Sequence, residues 1–186
     1  MFFQLVANAG NIAHLVLSGD WIAVWGVSDG PKGKALVKKV TSSKLRLKLS
    51  PDNETLNFYE INHYKEDMHN CSYFIINMTV TKEADNLKLE AHEGTSLYEG
   101  KLESFKDNTT MAFFQTCDHC LIMKYSSDDW GNYMLVYRDE DHYLNVSALK
   151  EEHATFHKHA ACLGFPTEPA FIHDGTQDFC ADRSDL

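Results

Sequence analysis

The stretch LSGDWIAVWGVSD, residues 17–29, decides how the rest of the chain is read, because it sets two tryptophans four apart directly after Gly-Asp. On a strand, successive side chains point to opposite faces, so Trp21, Ala23 and Trp25 are expected on one face. That much aromatic surface on one face implies a thick apolar interior.

Outward from that segment, alternating runs follow one another with turn residues between them. Leu45-Arg-Leu-Lys-Leu49 alternates strictly and ends in the turn cluster SPDNET. Further strands are expected over residues 55–64, 71–81, 86–105, 109–117, 120–127 and 132–139, about eight in all with the opening one. Short connections imply antiparallel neighbours. The expected fold is therefore all-β, an eight-stranded antiparallel up-and-down barrel, because such strands hide their edges by closing around side chains or one small ligand. The barrel is expected over about residues 20–139. The period then changes: SALKEEHATFHKHAACLGF puts Leu149, Phe156, Ala160 and Leu163 on one helical face, with Ser147 at the start and Gly164 and Pro166 at the end. One C-terminal helix, about 147–163, is expected outside the barrel, followed by an aperiodic tail, 164–186, pinned by Cys180. A length of 186 residues suits one domain, 1–186.

Apolar residues make up 44% and aromatics 12%, which excludes a disordered chain, and no run of about 18 apolar residues spans a bilayer. With 17 basic against 27 acidic side chains, the net charge of -10 argues against a nucleic-acid partner. Five Asn-x-Ser/Thr acceptors, Asn53, Asn70, Asn77, Asn108 and Asn145, together with five cysteines, point to a secreted glycoprotein in plasma or another body fluid. The start MFFQLVANAG lacks a basic n-region, so a mature secreted sequence, its signal peptide replaced by Met1, is expected. A monomer is expected. Cys117-Asp-His-Cys120 reads as a structural disulfide or buried thiols before a redox motif or half of a zinc site.

Parity assigns the interior. Asn77 accepts a glycan only if it faces solvent, so Phe74, Ile76 and Met78 point inward, while Tyr73, Ile75 and Cys71 point outward. Arg46 and Lys48 outside leave Leu45, Leu47 and Leu49 inside. The same logic puts Met123, Tyr125, Tyr133, Leu135 and Tyr137 inside, together with Trp25. Glu60 shares parity with Leu56 and Phe58 and is a candidate inward acid. Such a lining suits an amphipathic molecule held by burial and a few polar contacts, and a cationic ligand in particular needs carboxylates or aromatic faces.

Gly19-Asp20-Trp21 resembles the Gly-x-Trp signature that opens the first strand of lipocalins, where the Trp plugs the closed end of the barrel. By that resemblance Gly19, Trp21 and Arg138, in LVYRDED, close the barrel, with Arg138 packed across Trp21. Thr116-Cys-Asp118-His119 departs from the family's Thr-Asp-Tyr. NCSYFIINMTV, DDWGNYMLVY and AACLGFPTEPAFIHDGTQDFC are similar to the orosomucoid branch and to the fish plasma proteins that bind tributyltin, saxitoxin and tetrodotoxin. The resemblance implies that Cys180 pairs with Cys71, that Cys162 lacks its N-terminal partner, and that Cys117 and Cys120 match a neighbouring pair in the fish proteins. It implies an extracellular carrier of a toxin or xenobiotic, with a broad orosomucoid-like lipophile or drug carrier of immunomodulatory role as the alternative.

One lipocalin branch isomerises prostaglandins with a pocket thiol, but no cysteine falls on an inward position, so no catalysis and no cofactor are expected. Ten histidines invite a metal reading. His153 and His157 lie four apart but lack the HExxH glutamate, so His153, His157 and His159 read as a solvated helix face and no metal is expected.

Overall fold

The computed structural model describes residues 4–5, 18–65, 71–83, 86–175 and 178–183, and among them ten strands and two helices form. In chain order these are β1 (Gln4–Leu5), β2 (Gly19–Ser28), α1 (Pro31–Lys39), β3 (Val40–Leu49), β4 (Thr55–Tyr64), β5 (Cys71–Glu83), β6 (Asn86–Tyr98), β7 (Lys101–Cys117), β8 (Cys120–Ser127), β9 (Gly131–Asp139), α2 (Val146–Cys162) and β10 (Phe171–Ile172). Strands β2 to β9 each pair antiparallel with the next, and β9 returns to β2. The result is a closed eight-stranded barrel with no free edge along its circuit. Two short strands lie off that circuit, β1 on β7 and β10 on β2.

The alternation of β3 and β4 fills the interior. Leu45, Leu47, Leu49, Leu56 and Phe58 are buried with Trp21, Met78, Leu89, Leu121 and Met123 in one cluster. Burying each such side chain contributes about 1.5–3 kcal/mol. A second cluster lies on the outer wall, where Val24, Trp25, Val27, Ile122, Met134 and Val136 receive Leu149, Phe156 and Ala160 of α2. A third forms where the tail crosses the outside of β4 and β5. There Cys180 is bonded to Cys71 and the Tyr73 hydroxyl donates to the Ala181 carbonyl at 3.0 Å.

Four local expectations are corrected. Trp25 does not share a face with Trp21 and Ala23, because Ala23 pairs with Tyr137 while Trp25 pairs with Val136, and the extra residue between them is a β-bulge. One inserted residue reverses the parity of everything after it. The stretch 86–105 is two strands rather than one, turned by Glu99 and Gly100 at φ 50° and 75°, the pair of positive angles that a tight hairpin needs. Helix α1, absent from the sequence reading, has an N-cap glycine with no side-chain bond and no acid in its first turn. It forms by packing Val37 onto the barrel mouth. The N-cap of α2 is Asn145, whose side chain accepts from the Ala148 N–H, not Ser147.

Candidate functional site

The barrel is filled at one end and hollow at the other. Trp21 enters at the start of β2 and is 6% exposed, with Leu45, Leu47, Met78, Met123 and Tyr137 packed in the same interior cluster. Above them a cavity of about 570 Å³ runs toward α1 and the β8–β9 turn. Its apolar wall includes Phe58, Phe74, Ile76, Met111 and Leu135. At its mouth stand Lys32, Asp129 and Trp130, all exposed. Helix α1 can approach that turn because Gly33 has no side chain: a Cβ there would lie 2.5 Å from the Ser28 Oγ and 3.0 Å from the Trp130 carbonyl.

Two carboxylates sit in this largely apolar wall. Glu60 on β4 is 9% exposed and accepts from the Asn62 amide at 3.0 Å. Burial pushes its carboxyl up to about 7, and the Asn62 hydrogen bond offsets only part of that. Asp107 on β7 is 8% exposed and is held by three hydroxyls: Ser127 at 2.7 Å, Tyr125 at 2.9 Å and Thr109 at 3.0 Å all donate to its Oδ2. Its Oδ1 is buried with no hydrogen-bond partner in the protein. An unpartnered buried carboxylate oxygen is costly unless a donor or a cation meets it.

Aromatic faces surround the two acids. Tyr125 and Tyr133 stack with centroids 4.2 Å apart, and Phe74 meets Phe105 edge-on at 6.2 Å. Phe105 fits there because it pairs with Gly94, where a Cβ would lie 2.5 Å from the Phe105 ring. Burial pushes the phenols of Tyr64 and Tyr125 up to about 12, and the Tyr133 phenol well above its usual value, so all three are neutral at physiological pH.

Of the twelve residues read as lining, Glu60, Phe74, Ile76, Tyr125, Tyr133 and Leu135 border the cavity. Leu45, Leu47, Met78, Met123 and Tyr137 lie in the interior cluster but not on the cavity wall. Trp25 is outside the barrel, 5.9 Å from the Phe156 ring and 5.7 Å from His157. Arg138 is also on the outer wall, where its guanidinium covers Phe156 at 5.4 Å and pairs with Glu152 rather than packing across Trp21. Gly19, at φ 157°, opens β2 beside the Trp21 ring. The histidines of α2 are not a uniformly solvated face, since His159 is 5% exposed.

Cys117 is bonded to Cys120, and Cys162 is free and exposed. Asn77, Asn108 and Asn145 are exposed and Asn53 is half-buried, while Asn70 lies outside the described residues. Sequence reasoning missed Asp107, Phe105, Asn62, Tyr64 and the mouth residues of α1. A signal was present for Asp107: the parity argument used at Asn77, applied to the acceptor Asn108, turns Asp107 and Thr109 inward.

A closed eight-stranded antiparallel barrel, plugged at one end by a buried Trp and hollow at the other, with a helix on its outer wall, has the lipocalin fold. The chain is similar in structure to the siderocalin Ex-FABP, with a TM-score of 0.60 at 13% identity over 89% of this chain and 99% of that one. In sequence it is 34% identical, over 174 residues and 90% of its length, to saxitoxin and tetrodotoxin-binding proteins 1 and 2 of Takifugu pardalis. The chain spans 41% of the length of each of these relatives. No protein-family model matches it. Among the described residues no helix is long and apolar enough to cross a membrane.

Proposed function

We propose that this protein is an extracellular carrier, not a catalyst, that holds a small guanidinium-type organic cation in its barrel. The observation that carries the reading is Asp107, a buried carboxylate in the cavity wall with one oxygen saturated by three hydroxyls and the other left for a ligand donor. Glu60, ionised above about pH 7, supplies a second negative charge, and the Tyr125–Tyr133 and Phe74–Phe105 pairs supply aromatic faces for a planar cation. The relatives' names say that they bind saxitoxin and tetrodotoxin, both guanidinium compounds, which agrees with that chemistry. Secretion fits two disulfides, which persist in oxidising compartments.

The test is a fluorescence titration of the whole chain with saxitoxin, tetrodotoxin, tributyltin and a neutral steroid. Saturable 1:1 binding of the guanidinium compounds, not displaced by the steroid, supports the reading. Tight steroid binding without toxin binding makes the protein a broad lipophile carrier instead.

A further inference from the structure

At the opposite end of the barrel from the cavity, three side chains from separate segments converge on one point. His119 sits in the β7–β8 turn, Asp139 ends β9 as the register partner of Trp21, and His142 lies in the turn after β9. The His119 Nδ1 is 2.6 Å from the Asp139 Oδ2, and the His142 Nδ1 is 2.5 Å from its Oδ1. The two imidazoles stack with centroids 3.7 Å apart and planes 20° from parallel. One ligand atom from each residue falls within 4.8 Å of the others.

We propose that His119, Asp139 and His142 form a binding site for a late first-row divalent cation, Zn(II) or Cu(II). Two imidazoles and a carboxylate are a donor set suited to these ions, which take nitrogen at about 2.0–2.1 Å and carboxylate oxygen at about 2.0–2.2 Å. Ligands around such an ion stand about 3.2 Å or more apart by that arithmetic, so the two imidazoles must draw back from the carboxylate by roughly 0.6–0.7 Å or more. Each can move toward solvent, since the side chains of His119 and His142 are 50% and 49% exposed.

The backbone already holds the three residues together. The Asp139 N–H donates to the His119 carbonyl at 3.3 Å, and the His142 N–H donates to the Asp139 carbonyl at 3.1 Å. The Cys117–Cys120 bond closes the turn that carries His119. A site with three protein ligands leaves a fourth position for water, and half-exposed ligands give the ion a path in. Bound there, the ion ties the β7–β8 turn to the end of β9 at the plugged end, separately from any ligand in the cavity.

The experiment is equilibrium dialysis of the full chain against zinc chloride or copper chloride in a non-coordinating buffer, with thermal unfolding followed alongside. The proteins compared are wild type, His119→Ala, His142→Ala and the double variant His153→Ala/His157→Ala. We expect one equivalent bound by the wild type and by the helix variant, with Tm raised by the metal in both. Each of the two single variants loses affinity by at least roughly tenfold, no less than the loss of a supporting ligand costs in known sites, and loses the metal-dependent rise in Tm. Their Tm without metal reports whether they remain folded. Full binding by both single variants, loss of binding in the helix variant, or no binding by the wild type would each overturn the proposal.

Discussion

Replacing Glu60 with Gln tests the electrostatics of the cavity directly. The carboxyl is raised from 4.5 to about 7 by burial, so the folded protein holds this proton more tightly than the unfolded chain does. Below about pH 4.5 both states are protonated and Glu60 costs nothing. Between pH 4.5 and 7 the unfolded chain gives up this proton while the folded state still holds it, so stability falls across that window and levels off once the buried carboxyl ionises above 7. The rise from 4.5 to about 7, at about 1.36 kcal/mol per tenfold change in proton affinity, makes that loss roughly 3 kcal/mol, complete above pH 7. His153, His159 and His173 have lowered values, chiefly from burial, and act in the opposite direction as pH falls. The informative quantity is therefore the stability difference between Glu60→Gln and wild type, measured by urea unfolding at pH 4.5 and pH 8, in which the histidine contributions cancel. The variant should gain about 3 kcal/mol relative to wild type between the two conditions. An unchanged difference would refute the assignment of Glu60 as a buried, destabilised carboxylate.

Trp25→Ala removes a fully buried side chain from the seam between barrel and α2 and should cost about 3–5 kcal/mol in chemical denaturation, with cavity-ligand affinity unchanged. Tyr137→Ala should likewise show as lost stability, about 3–5 kcal/mol by analogy with other buried aromatics, since Tyr137 is 0% exposed and off the cavity wall. Converting Cys71 and Cys180 to Ser opens a loop with a sequence separation of 109. The chain-entropy model assigns that loop a loss of just under 5 kcal/mol, to be checked by thermal unfolding under non-reducing conditions.

The strand pattern was legible because strict alternation at Leu45 to Leu49 and at Leu56 to Phe58 has only one consistent pleat, and because the first Trp announces an interior. What was not legible followed from single-residue events. The bulge after Ala23 moved Trp25 from inside to outside, and alternation by itself carries no mark of an inserted residue. The Glu99-Gly100 hairpin was read through as one run because Leu97-Tyr98 and Leu102 flank it closely on both sides, and with it went the parity of Phe105. Helix α1 has no side-chain N-cap bond and buries only Gly33 and Val37, so its periodicity is faint, and Pro31 at its start and Lys38-Lys39 in its last turn were the only signals of it. Half of the site was visible in Glu60, Phe74, Ile76, Tyr125, Tyr133 and Leu135. Its second carboxylate, Asp107, was missed because the expected strands stopped at 105 and resumed at 109, which left it in a turn, whereas β7 runs unbroken from Lys101 to Cys117 and the parity of Asn108 turns Asp107 inward.

The central claim, that the barrel binds an organic cation through Asp107, is tested most directly by calorimetric titration of tetrodotoxin into wild type and Asp107→Asn at pH 8, where Glu60 is ionised in both. The account predicts stoichiometric binding by wild type and, with one charge-assisted contact weakened by about 1.5–3 kcal/mol, a loss of roughly 10- to 150-fold in the variant. Equal affinity in a variant of unchanged fold would contradict it.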